Sequence, residues 1–371
     1  MKVGLVKTAM KCVLASAFGE IDQVLELSGD GAPRPELKPG SGKVLVRVHA
    51  CSLSPSDQRT LSGEGDLFKK PEAFPYIPGG DVCGTVVQID ESPEGPEKAS
   101  KFKVGDVIVG TWDIFGEGGL AEYALVMEAY AVLKPDGVNY LEAAALANSP
   151  SHAMQAVQRA GIKEGSRVLV LGGSGGMGTL IVQLARDAGA SFVAATSTDE
   201  RLLKSLGADQ VIDYREREWS ELPEFLETPL DAIIDCAEGS SAWEKATKKK
   251  VLKNGDKGGR FVAVVFHEWK IEIHRWSQIM GFLAPIFWRK AHTGWTQRST
   301  PRYLYQLGSA KAPSMAEVNK LVEAKRLKTV LDPASPHPFT TQGIRDAFHK
   351  LEDRKGHGKI VIQVSDEIAA A

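Results

Sequence analysis

The chain lacks most of the features that would settle a function class at once. Its 371 residues contain four cysteines, Cys12, Cys51, Cys83 and Cys236, and none forms a C-x-x-C pair. That excludes a disulfide framework and a cysteine-rich structural zinc lobe, and it fits a reducing compartment. No stretch reaches the roughly 18 apolar residues of a membrane span. The nearest, IMGFLAPIFW at 279–288, reads as a core or lid helix. Neither sign of charge is in excess, since 45 Lys and Arg face 47 Asp and Glu. Such a balance creates no overall field to gather nucleic acid or an anionic membrane. The first ten residues hold two lysines and no arginine, so neither a secretory signal nor an Arg-rich presequence is expected. The expectation is a cytoplasmic chain, or a mitochondrial or other organellar one where the N-terminus is processed.

Glycine, by contrast, is concentrated where an anion would need it. Residues 168–178 read VLVLGGSGGMG, four apolar positions followed by a glycine-rich turn. Glycine lets main-chain N–H groups approach a phosphate that a Cβ would hold off, and a helix N-terminus behind the turn adds a favourable dipole. The spacing Gly173-x-Gly175-x-x-Gly178, with Ser174, Gly176 and Met177 between, fits the dinucleotide fingerprint. Context strengthens it. A helix is predicted from about Gly176 to Asp187, then strand FVAAT (192–196), a helix near 199–206 and strand QVID (210–213). A polar helix near 218–227, strand AIID (232–235), another helix and strand RFVAVV (260–265) complete the run. Apolar strands alternating with helices predict an α/β, doubly wound parallel sheet.

Before residue 150 the texture differs. KVLVRVHAC, DVCGTVVQI, GDVIVGTW and AEYALV are short β-rich runs broken by glycine and proline, as in a compact antiparallel or barrel-like domain. A last strand, KIVIQV (359–364), has no place in a finished parallel sheet, so the tail is expected to return to the first domain.

Six motifs in order, SLSPSD, FPYIPGGDVCGTV, GGLAEYALV, EAAALA, GGSGGMGTLIVQLA and LGADQVIDYRE, resemble the medium-chain dehydrogenases/reductases. Within that superfamily the chain resembles the zinc-free quinone oxidoreductase branch. Its tail, with AEVNKLVEAKRLKTV and GHGKIVIQV, is similar to the reticulon-4-interacting-protein subgroup. The resemblance implies a GroES-like domain at 1–150, a Rossmann domain at 151–312 and a return to the first at 313–371. It also implies an NADPH cofactor, a small quinone or enone as substrate, a homodimer, and a cofactor contact from Lys359.

Zinc-dependent relatives take ligands at positions that here hold Ser54 and Gly80; a glycine has no side chain and a serine is a poor ligand beside thiolate or imidazole. No metal is therefore expected. The second strand ends Thr196-Ser197-Thr198 rather than in the carboxylate that binds the ribose 2′-OH of NAD. Ser197, Arg201 and Tyr214 match positions that hold the 2′-phosphate in NADPH-binding relatives. Equally, Ser197 and Glu200 could form a capping box with Arg201 in water.

Without a metal, hydride addition to an enone or quinone puts negative charge on a substrate oxygen, and donors near it lower the barrier. Ser54 stands where relatives carry an Asn donor, and Arg59 where they often carry a Tyr. Asp57 reads as a residue that holds its loop through backbone N–H groups. His152 replaces a Thr that in relatives lies by the nicotinamide; it either protonates the enolate or is a packed helix-start residue. Trp112, Phe115 and Trp288 are candidates for an apolar pocket, and Cys51 and Cys83 for inert packing. Two alternatives stay open: a non-catalytic NADPH-binding redox-sensing or protein-interaction module, and a 2-enoyl thioester reductase.

Overall fold

Short apolar runs bounded by glycine and proline become strands through the first part of the chain. The computed structural model describes residues 9–64, 73–90, 100–112, 118–265, 276–306 and 308–367, with backbone only at 276, 277 and 282. Early strands are β1 (Ala9–Ala15), β2 (Leu25–Pro33), β3 (Lys43–Leu53), β4 (Asp81–Gln88), β5 (Val107–Thr111), β6 (Tyr123–Met127) and β7 (Ala131–Leu133). They are followed by β8 (Arg167–Leu171), β9 (Phe192–Thr196), β10 (Gln210–Ile212), β11 (Ala232–Asp235), β12 (Arg260–Ala263) and β13 (Arg302–Tyr305). Two late strands, β14 (His337–Pro338) and β15 (Ile360–Gln363), complete the set.

These elements divide between two units. One lies within 1–148, 309–323 and 331–371, the other within 149–308 and 324–330. In the first, a seven-stranded sheet runs β14-β15-β3-β4-β5-β7 with β6 also on β3, and β1 pairs β2 separately. The late strand β15 lies antiparallel to β3, Ile360 opposite Leu53 and Ile362 opposite Cys51. Val46, Val82, Ile108, Leu120, Phe348 and Ile362 are among the buried residues of its core.

In the second unit all six strands are parallel, in the order β10-β9-β8-β11-β12-β13. Counted from β8, that is the 3-2-1-4-5-6 order of a doubly wound dinucleotide-binding sheet, with its switch between β8 and β11. β-Branched and leucine side chains bury both faces, as parallel strands require. Leu169, Leu171, Ile233 and Phe261 pack there with Trp219, Phe225 and Leu252.

Two expectations change. The predicted 218–227 helix is a 3-10 turn, Trp219–Glu221, and a separate helix, Pro223–Glu227. Pro223 starts the second piece at a position where its missing N–H costs nothing, but it cannot continue the first. The sixth strand, β13, is not anticipated by the sequence pattern; RYLY follows a stretch with no readable motif.

Candidate active site

The turn after β8 is shaped by its glycines. Gly172 has φ +77°, and its N–H donates to Thr196 Oγ1 at 2.8 Å while Gly173 N–H donates to the Thr196 carbonyl at 2.9 Å. A Cβ on Gly173 would meet Ala195 Cβ at 2.7 Å, and one on Gly178 would overlap the Gly172 carbonyl and meet Gly173 Cα at 2.7 Å. Those two glycines are needed for the fold itself. Gly175 is different: a Cβ there would find only the Gly172 carbonyl, at an ordinary 3.5 Å. Its bare face is thus open to an approaching ligand. Ser174, Gly176 and Met177 complete the turn, and the helix Gly178–Asp187 begins behind it. A cradle of this kind at a helix N-terminus fits a pyrophosphate.

Ser197, Arg201 and Tyr214 gather by register at the carboxyl edge of β9 and β10, where Thr196 pairs Ile212 and Ser197 N–H donates to the Ile212 carbonyl at 3.0 Å. Arg201 and Tyr214 are exposed and Ser197 is buried. The capping box between Ser197 and Glu200 does not form. Asp199 caps the helix Glu200–Ser205 by accepting from Leu202 N–H at 2.9 Å, and Ser197 Oγ accepts from Asp199 N–H at 2.9 Å. Asp213, the nearest carboxylate after β10, is chelated by Arg215, which holds its carboxyl down at about 2.

In the first unit Ser54 and Asp57 open the helix Pro55–Ser62. Asp57 Oδ2 accepts from Ser54 N–H at 2.7 Å and from its hydroxyl at 2.9 Å, while Ser54 Oγ lies 2.6 Å from Ser56 Oγ. Asp57 therefore does hold its loop through a backbone N–H. It is also buried, and that burial, with Asp81 nearby, pushes its carboxyl up to about 6. Asp81 accepts from Thr111 Oγ1 at 2.7 Å and from Ser52 Oγ at 3.3 Å, and pairs with Lys359 Nζ at 3.5 Å. Burial still raises its carboxyl against these contacts. Lys359 also donates to the Leu53 carbonyl at 3.0 Å, so it joins the chain's last strand to the Ser54 loop. Arg59 lies in the last turn of the same helix, half-buried.

His152 sits in the first turn of the helix Ser149–Ala160, in the second unit. A Cβ on Gly308 would meet its Nδ1 at 3.1 Å and Gln306 Nε2 at 2.5 Å, and Gln306 donates to Gln155 Oε1 at 3.1 Å. Gln155 and Gln306, neighbours of His152 through Gly308, escape a reading of the sequence because no motif marks them. Trp112 packs against the first unit's core, Trp288 is exposed on the helix Trp276–Trp295, and Phe115 lies outside the described residues. Cys51 and Cys83 are fully buried, and burial pushes the Cys83 thiol up to about 12, so they serve as packing.

Zinc finds no donors at the matched positions, since Ser54 Oγ is engaged with Asp57 and Ser56 and Gly80 has no side chain. Among the described residues, no group of three or more His, Cys, Asp or Glu could hold a metal ion. The residues do not fit a catalytic zinc.

Comparison with known proteins places this geometry. Residues 40–136 match the alcohol dehydrogenase GroES-like domain, and 206–362 match the family described as zinc-binding dehydrogenase. The chain is 32% identical to 2-methylene-furan-3-one reductase of Solanum lycopersicum, over 96% of this chain and 80% of that one. With the chloroplastic NADPH-dependent alkenal/one oxidoreductase of Arabidopsis thaliana it shares 31% identity over 95% and 79%. With the human mitochondrial NAD(P)H oxidoreductase RTN4IP1 it shares 28% over 87% and 82%. Among solved structures, the quinone oxidoreductase from Coxiella burnetii superposes with a TM-score of 0.73 at 26% identity, covering 96% of this chain and 99% of that one. The quinone oxidoreductase from Thermus thermophilus, solved also with NADPH, gives 0.65 at 25% identity, covering 95% and 100%. The chain belongs to the medium-chain dehydrogenase/reductase superfamily. Within it, the chain is an oxidoreductase of the branch that holds quinone and alkenal oxidoreductases, and it binds a nicotinamide dinucleotide, NAD(P)H. Among the described residues no helix is long and apolar enough to cross a membrane.

Proposed function

We propose that the chain reduces a quinone, or an activated alkene such as an enone, with NADPH. One observation carries this reading: the phosphate cradle at 172–178 is intact in a chain whose two zinc-ligand positions are Ser54 and Gly80. Bound NADPH supplies the hydride. The Gly173–Gly178 turn holds the pyrophosphate, and Ser197, Arg201 and Tyr214 hold the 2′-phosphate; Lys359, buried against Asp81 and the Leu53 carbonyl, serves by fixing the Ser54 loop. Negative charge arriving on the substrate oxygen is met by the Ser54 hydroxyl, a contribution of roughly 3 kcal/mol for one well-placed donor. Arg59 pairs with an anionic enolate and His152 supplies its proton. Asp57 regulates the donor: protonated below about pH 6, it can donate to Ser54 Oγ and release the Ser54 proton toward substrate.

The edge position of β13 in its sheet supports a homodimer in which the two copies pair there. An organellar place of action is supported by the names of two relatives, one chloroplastic and one mitochondrial. Steady-state NADPH oxidation with a panel of small quinones and enones tests the chemistry. Turnover with NADPH on either class is the expected result. Tight NADPH binding without turnover on any of them would make the chain a binding module instead.

A further inference from the structure

The helix Trp276–Trp295 has an inner and an outer face of very different character. Leu283 and Ile286 pack on the second unit's core, and Thr293 is buried behind them. The core-helix expectation therefore holds for one side only. On the other side Met280, Ala284, Phe287, Trp288, Ala291 and Trp295 are all exposed. At helical spacing these six fall on one stripe about 100° wide along a helix of roughly 30 Å. The four large side chains are 70%, 61%, 67% and 86% exposed for Met280, Phe287, Trp288 and Trp295. Such a row of aromatic surface in water is unfavourable unless something covers it.

Charge identifies the occupant. Residues 273–316 contain six Lys or Arg and no Asp or Glu, in a chain whose net charge is −2. The near-neutral total thus conceals one basic segment. Lys290, Arg298 and Arg302 are exposed, and Arg289 is held at the flank by Ser240 Oγ at 3.1 Å. On the neighbouring helix Ser240–Lys249, Glu244 is paired with Lys248. A second copy is a poor cover for this outer face, because a two-fold contact on the helix itself, unlike one at the β13 edge, would set Lys290 and Arg298 against their own counterparts with no acid in the segment to answer them. An anionic surface answers them, and a membrane also accepts the aromatic stripe.

We propose that the outer face of the 276–295 helix docks the protein peripherally on an anionic lipid surface, with Phe287, Trp288 and Trp295 entering the headgroup boundary and Lys290 and Arg298 meeting lipid phosphates. The docking does not depend on the redox reading above. Flotation of the full chain with vesicles of phosphatidylcholine mixed with phosphatidylserine, and of phosphatidylcholine alone, tests it. Binding to the mixed vesicles only, released by high salt, is expected. The pair Trp288→Ser/Trp295→Ser and the pair Lys290→Glu/Arg298→Glu should each weaken binding at least about ten-fold, with melting temperature and NADPH affinity unchanged. Failure to float with mixed vesicles overturns the proposal, as does undiminished binding by both pairs. So does a tryptophan pair that leaves vesicle binding intact and lowers the mass measured by light scattering, which would assign the face to self-association.

Discussion

One carboxylate oxygen of Asp57 accepts from both hydrogen-bond donors of Ser54, the backbone N–H at 2.7 Å and the hydroxyl at 2.9 Å. The donor proposed to face substrate is thus tied to a buried acid. Ser54→Ala should lower kcat by on the order of 100-fold with NADPH affinity unchanged, since the bond matters in the transition state. In the wild type, kcat should rise as pH falls through about 6, where Asp57 takes its proton. Asp57→Asn should abolish that ionisation. If His152→Gln removes it instead, the imidazole is the titrating group.

The same acid makes a prediction about stability. Burial raises the Asp57 carboxyl from 3.8 to about 6, so the folded chain binds this proton more tightly than the unfolded one. The charged form is therefore a liability that is fully present above about pH 6 and disappears as pH falls toward the unfolded value. Asp57→Asn keeps an acceptor oxygen and removes one of two carboxylates facing the single Lys359. Denaturant unfolding should find the variant more stable than wild type at about pH 8, by at most about 3 kcal/mol, with the advantage gone near pH 4. A variant that is less stable at both values would refute this.

Arg201 lies exposed one helical turn beyond Ser197. Reversing its charge should weaken NADPH by roughly 30- to 100-fold and NADH very little, because the 2′-phosphate is the only large difference at that point. Titration calorimetry with both cofactors distinguishes this from a surface residue, for which the two affinities would fall together or not at all.

Two glycines of one turn should fail in different ways. Gly178→Ala places a methyl over the Gly172 carbonyl and should lower the melting temperature sharply. Gly175→Ala meets nothing closer than 3.5 Å and should melt like wild type. It should nevertheless bind NADPH at least about ten-fold more weakly, since its bare face is where the pyrophosphate approaches. Equal melting points for the two variants would contradict the packing.

Chelator should leave turnover unchanged, because Ser54 and Gly80 offer a zinc ion no donor pair. Elemental analysis finding stoichiometric zinc, together with loss of turnover on its removal, would overturn that.

How much of this is legible in the sequence follows from the range of each interaction. The Gly173–Gly178 turn can be read because its constraints are local, a strand, a turn and a helix within a few residues. Strand β13 cannot, since RYLY is four residues carrying an arginine and two tyrosines, and only its place beside β12 makes it a strand. Ser197 and Glu200 have the right spacing for a capping box, but Asp199 is the better acceptor by position and takes the helix end. The pairing of Asp81 with Lys359 spans 278 residues and exists only because β15 lies on β3. Gln155 and Gln306 are invisible for the same reason.

The seat of β15 between β14 and β3 also orders the chain's assembly in time. A ribosome delivers residues in sequence, and domains fold as they emerge. The parallel-sheet unit needs nothing past residue 330, so it can close while the rest is still being made. The first unit begins to emerge earlier and finishes later. Until residues 360–363 arrive, the Ala50–Leu53 end of β3 lacks its partner strand beyond the stretch that β6 covers, and the Asp81 carboxylate has no ammonium beside it. For most of synthesis, the half of the protein made first is the half still waiting to fold.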